Sequence, residues 1–154
     1  MSRAWEQIER SAELIADIAA SHGVTIALES VNPREANVLF YLTEAANVVA
    51  TVNRPNLRLN VDYYHLYLQN EPDAHLAAVG HLLVHAHTSD DHRGFPALGG
   101  WDQRPFLRSL ARIGYDGRLS FEVNRTADPD FGENARRSVI RMRELWEETS
   151  RERR

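Results

Sequence analysis

The chain has 154 residues, of which 43% are hydrophobic and 26% are charged, and its net charge at pH 7 is −4. This length supports one domain with a substantial core, the composition is typical of a soluble globular protein, and the mild acidity argues against nucleic acid as a partner. The absence of cysteine excludes disulfides and thiolate chemistry and is expected in a reducing cytoplasm, while no apolar run approaches the ~20 residues of a membrane span and no secretory signal is visible.

Helices and strands are predicted to alternate from the start of the chain. An apolar stripe at helical spacing predicts a helix over residues 4–21, followed by Gly23 at its C-terminal end. The inward residues of this helix would be Trp5, Ile8, Ala12, Ile15 and Ala19. A strand over residues 24–29 then ends in Glu29. A second helix is predicted over residues 43–53 with Thr43 as its N-cap, and the next strand, over residues 57–62, ends in Asp62.

The same alternation continues in the second half of the chain. A short helix over residues 72–79 precedes a strand over residues 82–87 that ends in His87. A helix over residues 105–113 leads to a fourth strand over residues 118–123, which contains Glu122. A charged helix then runs from about residue 132 to the end, with Val139, Ile140, Met142 and Trp146 as its apolar residues. Helices and strands that alternate with short links predict a parallel sheet of the α/β class.

Each predicted strand has one apolar face and one mixed face. The mixed faces end in four groups that are able to bind a metal ion: Glu29, Asp62, His87 and Glu122. Barrel enzymes place their chemistry at the C-terminal ends of the strands, and their inner face accepts polar groups. Polar residues also end strands simply because loops begin there. The pair His85 and His87 is likewise compatible with metal ligands, a proton relay or ordinary polar side chains at a sheet end.

The ordered segments ALESVNPRE, VDYYH, HAHTSDDHR and GYDGRLSFE resemble those of the xylose-isomerase-like barrels. This sugar phosphate isomerase/epimerase family includes ketose 3-epimerases and hydroxypyruvate isomerases, and the resemblance is clearest from Val24 to Glu122. A complete barrel has eight strands and about 250 residues. The resemblance therefore implies the C-terminal half of a (β/α)8 TIM barrel, with residues 1–154 as a single domain that is truncated on its N-terminal side.

Three carboxylates and one imidazole form an oxygen-rich ligand set that suits Mn²⁺ or Mg²⁺ and tolerates Co²⁺ or Zn²⁺. The resemblance implies that Glu29, Asp62, His87 and Glu122 bind one divalent ion, with Mn²⁺ preferred. It also implies that Glu29 and Glu122 are the acid/base pair, which transfers a proton next to a carbonyl through an enediolate. The same site would support epimerisation or aldose-ketose isomerisation.

The resemblance also implies a substrate side to the site. His65, in a D-x-x-H motif, and Arg93 would contact the substrate, and Glu35 matches a further carboxylate on that side. His85 is expected beneath the metal rather than as a direct ligand. Asp90, Asp91 and His92 are expected in a solvated loop. The expected substrate is a small sugar or hydroxy-keto compound whose identity the sequence leaves open.

Two other functions fit parts of the same pattern. The first is a metal-dependent phosphodiesterase like the endonuclease IV branch of these barrels, which needs more metal ligands and a surface for DNA. The second is a non-catalytic half-barrel. Whether the half-barrel is catalytic or not, we expect it to form a homo-oligomer or to pair with a missing N-terminal half. The sequence leaves the activity of the isolated chain open.

Overall fold

The four predicted strands form one parallel sheet. A computed structural model describes residues 3–151, and its strands lie side by side in chain order as β1 (Ile26–Glu29), β2 (Leu57–Asp62), β3 (Leu83–Thr88) and β4 (Arg118–Phe121). Every neighbouring pair is parallel, and each connection between neighbours contains at least one helix. This arrangement confirms the predicted α/β class and the four strands that alternate with helices.

Six α-helices accompany the sheet in the described part of the chain: α1 (Arg3–Ala20), α2 (Leu42–Val52), α3 (Tyr63–Leu68), α4 (Asp73–Val79), α5 (Arg104–Arg112) and α6 (Phe131–Arg151). The last residues of the predicted C-terminal helix, 152–154, lie outside the described range. Helix α3 was not predicted, because it begins directly after β2 without a loop. The carboxylate of Asp62 caps it by accepting a hydrogen bond from the Tyr64 N–H at 3.0 Å. None of the helices within residues 3–151 has the length and apolar character needed to cross a membrane.

The start of α2 differs from the prediction. Thr43 lies inside the helix, and Tyr41 is the N-cap residue. The backbone N–H of Tyr41 donates to the Glu44 carboxylate at 3.1 Å, and the N–H of Leu42 donates to the Glu71 carboxylate at 2.8 Å. Thr43 as the N-cap was therefore wrong, because two carboxylates already satisfy the first free N–H groups of this helix. One of those carboxylates comes from a distant segment that local sequence reasoning does not see.

The core lies between the helices and one face of the sheet. On this face β2 contributes Leu57, Leu59 and Val61, all at most 1% exposed, and they pack with residues of α1, α2, α4 and α5. The opposite face of β2 carries Asn60 and Asp62, which are also buried. In β2 the alternation of the two faces thus separates an apolar core from a polar inner surface, as the sequence predicted, whereas in β3 the extra residue Val84 is 41% exposed and Leu83 packs against the core.

Some apolar residues of the predicted helices are exposed. Ile15 of α1 is 49% exposed, and Val139 and Ile140 of α6 are 39% and 47% exposed. Ile15 borders an open groove beside β1, and Val139 borders a second groove beside β4, so neither meets a packed layer. Nothing in the structure explains the exposure of Ile140.

Candidate metal centre

The four predicted ligands converge at one edge of the sheet. Glu29 and Asp62 are the last residues of β1 and β2, His87 is the penultimate residue of β3, and Glu122 directly follows β4. The Glu122 N–H donates to the Thr88 carbonyl at 3.0 Å and so continues the pairing of β4 with β3. Because the carboxyl ends of parallel strands meet at the same edge, one ligand atom from each of the four residues lies within 4.8 Å of the others.

The geometry of this cluster is open on one side. His87 Nδ1 lies 3.0 Å from Glu122 Oε2 and 3.5 Å from Glu29 Oε2. Asp62 uses Oδ1 to cap α3, which leaves its Oδ2 to face the cluster. The Asp62 side chain is fully buried, whereas the Glu122 side chain is 49% exposed. Three carboxylates and one imidazole around an accessible centre fit a hard divalent cation such as Mn²⁺ or Mg²⁺.

Arg93 brings a positive charge into the cluster. Its Nη1 donates a short hydrogen bond to Asp62 Oδ2 and lies 3.3 Å from Glu122 Oε2. The guanidinium carbon also lies 4.0 Å above the ring of Tyr64, a cation–π arrangement that holds the group in place. Arg93 therefore acts as the counter-ion of the carboxylates in this structure.

The loop that carries Arg93 turns sharply after β3. The Gly94 N–H donates to the Asp91 carbonyl at 3.0 Å, and both residues between them, His92 and Arg93, have left-handed φ values of 53° and 58°. This is the backbone pattern of a type I′ turn, which is costly for residues other than glycine and asparagine. Non-glycine residues in this conformation often mark functional sites.

Asp90 anchors this loop, which corrects the expectation that it is solvated. It is 2% exposed, and its carboxylate accepts hydrogen bonds from the backbone N–H groups of Asp91, Gly99 and Trp101 at 2.8, 3.2 and 3.1 Å. A buried carboxylate that accepts three backbone N–H groups satisfies those donors and ties residues 91, 99 and 101 together. Asp91 and His92 are exposed, as expected.

The other two predicted substrate residues share one partner, Asn32. His65 is 3% exposed, its Nδ1 lies 2.8 Å from Asn32 Nδ2, and its Nε2 lies 3.4 Å from Glu29 Oε1. The same amide donates to Glu35 Oε1 at 2.9 Å. Sequence reasoning assigned no role to Asn32, although it lies in the segment ALESVNPRE. Its position between His65 and Glu35 links these residues to the metal cluster.

The two glutamates of the cluster have pKa values shifted in opposite directions. Burial acts to raise the pKa of Glu29, but hydrogen bonds from His65 and Asn60 and the charge of His87 outweigh it, so this pKa lies below its ordinary value. Burial raises the pKa of Glu122, and the positive charge of Arg93 only partly offsets that effect and the repulsion from Asp62. The carboxylates thus differ in proton affinity although both belong to one cluster whose ligand atoms lie within 4.8 Å of one another.

His85 lies next to the cluster but is not one of its four members. Its ring centroid is 5.0 Å from that of His87, with the two rings nearly perpendicular. Burial, followed by the charge of His87, lowers the pKa of His85, which favours a neutral ring. A second neighbour, Asn60, was not predicted to have a role. The available signal was its place on the strand face that ends in Asp62.

Comparison with known proteins places this chain in a family. A family model described as xylose isomerase-like TIM barrel matches residues 2–145. A ketose 3-epimerase from Arthrobacter globiformis is 35% identical over 109 residues, which cover 70% of this chain and 38% of that protein. An L-ribulose 3-epimerase from Methylomonas sp. strain DH-1 is 32% identical over 138 residues, which cover 88% of this chain and 47% of that protein.

A solved structure has a similar fold over most of the chain. A D-allulose 3-epimerase from Methylomonas sp., in complex with D-allulose, matches with a TM-score of 0.71 and 30% identity, over 92% of this chain and 49% of that one. The chain thus spans less than half the length of the two curated relatives described above. Its four strands and their helices correspond to half of an eight-stranded barrel. As its sequence predicted, the chain belongs to the xylose isomerase-like TIM barrel family.

Proposed function

We propose that this chain is the metal-binding half of a divalent-metal-dependent sugar isomerase or epimerase. The observation that carries the proposal is the convergence of Glu29, Asp62, His87 and Glu122, with ligand atoms within 4.8 Å of one another at the ends of neighbouring strands. Relatives that are named ketose 3-epimerases support the reaction class. The ion would be Mn²⁺ by preference, with Mg²⁺, Co²⁺ or Zn²⁺ as alternatives.

The proposed chemistry is a proton transfer at a carbon next to a carbonyl. A bound divalent ion would supply Lewis-acid stabilisation of the negative charge that develops on the substrate oxygens. Glu29 and Glu122 would be the acid/base pair, one removing the proton and the other returning one. Glu29 is well suited to a fixed role, because Asn60 and His65 hold its two oxygens from two sides.

The substrate side of the site would be formed by His65, Arg93 and Glu35. His65 and Arg93 lie beside the carboxylates, with Arg93 Nη2 3.2 Å from His65 Nε2. Both are polar groups suited to the hydroxyl and carbonyl oxygens of a small sugar or hydroxy-keto compound. The rest of the pocket would come from a second barrel half, supplied by a separate N-terminal half or by another copy of the chain, with residues 1–154 acting as one domain. The absence of cysteine fits a cytoplasmic location.

Metal binding tests the proposal most directly. Wild-type protein titrated with Mn²⁺ in a calorimeter should bind one ion per chain. His87→Ala should abolish tight binding, whereas His85→Ala, a matched change two residues earlier in the same strand, should weaken it less. Equal Mn²⁺ affinity in wild type and His87→Ala would refute the assignment of His87 as a ligand.

The same titration distinguishes the proposed isomerase or epimerase from the main alternative. An endonuclease-like phosphodiesterase would take two or three ions, and the described residues bring together one group of four ligands. Activity on ketoses, measured with the barrel completed by an N-terminal half, separates the enzyme from a non-catalytic half-barrel. Glu29→Gln and Glu122→Gln should each lose turnover in that assay, and near-normal rates in both would refute the acid/base pair.

A further inference from the structure

Asn60 occupies a central position under the candidate metal centre. It lies on the inner face of β2, is 4% exposed, and pairs in register with Glu29 of β1 and His85 of β3. The pairing of β2 with β3 shifts register between Leu59 and Asn60, as at a β-bulge. Bulges beside active sites commonly re-aim a side chain. The extra residue is Val84 of β3, so the irregularity lies in β3, opposite the step from Leu59 to Asn60.

The amide nitrogen of Asn60 contacts two of the four proposed ligands. Nδ2 donates to Glu29 Oε2 at 2.5 Å and lies 3.1 Å from His87 Nδ1. An amide nitrogen only donates, so this contact is a hydrogen bond in the tautomer of His87 that has its proton on Nε2 and accepts at Nδ1. That tautomer leaves the Nδ1 lone pair directed toward Glu29 and Glu122, where an ion would be bound.

This amide orientation is unfavourable for stability alone. Asn60 Oδ1 is buried and has no hydrogen-bond partner among the described residues. An unsatisfied buried acceptor costs about 1–3 kcal/mol. The flipped amide would place Oδ1 against the Glu29 carboxylate, which would be repulsive. The two ligands therefore fix the orientation of the side chain, and the protein tolerates an unsatisfied oxygen to keep it.

We infer that Asn60 is a positioning residue that orients Glu29 and selects the metal-binding tautomer of His87. The inference rests on the proposed metal site. Asn60 does not itself belong to the ligand set, so its effect is transmitted through the two ligands that it contacts. Groups that orient metal ligands in this way typically change metal affinity about 10- to 100-fold when they are removed.

The test uses Asn60→Leu in the full chain. Leucine has nearly the shape of asparagine but carries neither the N–H groups nor the unsatisfied oxygen. We expect Mn²⁺ affinity, measured by calorimetry, to fall about 10- to 100-fold. The melting temperature of the metal-free protein should stay unchanged or rise. The visible absorption bands of bound Co²⁺, which report the geometry of its ligands, should also change.

Thr88→Val is the matched control. Thr88 is fully buried in the neighbouring strand, and its side chain donates to Gln103 Oε1 at 2.7 Å rather than to any of the four ligands, while its carbonyl, which accepts the Glu122 N–H, is retained in the variant. This variant should lose stability without a change in Mn²⁺ affinity or in the Co²⁺ spectrum. If Asn60→Leu does not fold, Asn60→Ser provides the same measurement, because its hydroxyl is too short to reach Glu29.

The outcomes separate the inference from the proposed function. A wild type that binds Mn²⁺ and an Asn60 variant with the same affinity and spectrum would overturn the role of Asn60 and leave the metal site intact. A folded variant that loses stability and affinity together, as a general packing defect would, also counts against it. If the wild type bound none of Mn²⁺, Mg²⁺, Co²⁺ and Zn²⁺, the proposed metal site would be wrong, and this inference would fail with it.

Discussion

Arg93 provides a sharp test of the charge balance at the site. Its guanidinium contacts Asp62 Oδ2 and lies close to Glu122 Oε2, both of which belong to the proposed ligand set. An ion and the guanidinium therefore compete for the same oxygens. We expect Arg93→Met to destabilise the metal-free protein and to strengthen metal binding. A role limited to substrate contact would leave both quantities unchanged.

The expected magnitudes follow from burial. The Asp62 side chain is fully buried and that of Arg93 is 19% exposed. Removing one partner of a buried pair costs about 3–5 kcal/mol, and we take the lower end because Arg93 is not fully buried. For a chain of this size, about 3 kcal/mol lowers the melting temperature by roughly 6–12 °C. The same free energy corresponds to an increase in metal affinity of at most roughly 150-fold. In the wild type, Arg93 keeps other contacts, such as that with Tyr64, after an ion displaces it from the carboxylates. These contacts lower the cost of displacement, so we expect Arg93→Met to bind the metal at least about tenfold more tightly than wild type.

The assay combines thermal unfolding in a metal chelator with calorimetric titration of Mn²⁺. Methionine preserves much of the packing of Arg93 on Tyr64, so the charge is the main difference. Arg93→Lys is the control, because it keeps the charge but loses the two-pronged geometry, and it should fall between wild type and Arg93→Met. Unchanged or weaker metal binding in Arg93→Met would refute the competition between the ion and the guanidinium. It would show that Arg93 does not have to leave the carboxylates before an ion binds.

Two further predictions concern a tyrosine and the loop after β3. Burial, followed by the charge of Asp116, raises the pKa of Tyr115 to about 12, so its neutral phenol contributes stability that is present below about pH 10 and lost as pH rises through about 12. In a pH titration followed by tyrosinate absorbance, Tyr115→Phe should remove a transition near pH 12. If the variant instead lost a transition near pH 10, Tyr115 would have an ordinary pKa and the prediction would be wrong. Asp90→Ala should lower the free energy of unfolding by about 2–3 kcal/mol and expose residues 91–101 to proteases, whereas the exposed Asp91→Ala should do neither.

The strand ends were predictable because parallel strands have a simple geometry. Side chains alternate between faces, so the sequence alone places Asp62 and His87 on inner positions, and the structure pairs these two residues in register. Contacts between distant segments carry no such periodicity. The approach of Arg93 to Asp62 depends on two left-handed residues in the loop after β3, which a pattern of polar and apolar residues does not show. The alternation places Asn60 on the inner face, but its contact with His87 lies beside a register shift in β3 that the pattern does not show either.

The two open edges of the sheet predict that the chain does not behave as a simple monomer. Strands β1 and β4 each lack a neighbour on one side within the described residues. An apolar groove of about 520 Å³ lies beside β1, and another of about 450 Å³ lies beside β4. Unpaired strand edges next to apolar surface favour association with another chain.

The form of that association follows from charge. Two copies joined edge to edge would complete eight strands, but they would bring two sets of carboxylates into one opening, and this crowding disfavours a symmetric barrel unless two ions enter. A covering N-terminal half or a looser dimer is therefore at least as favourable. Light scattering should show dimers, larger species or aggregation, and co-expression with a polypeptide of four further strand–helix cycles should replace them by one defined complex. A monodisperse monomer of 17.6 kDa with full ketose activity would refute this reasoning, because it would show that neither edge needs a partner.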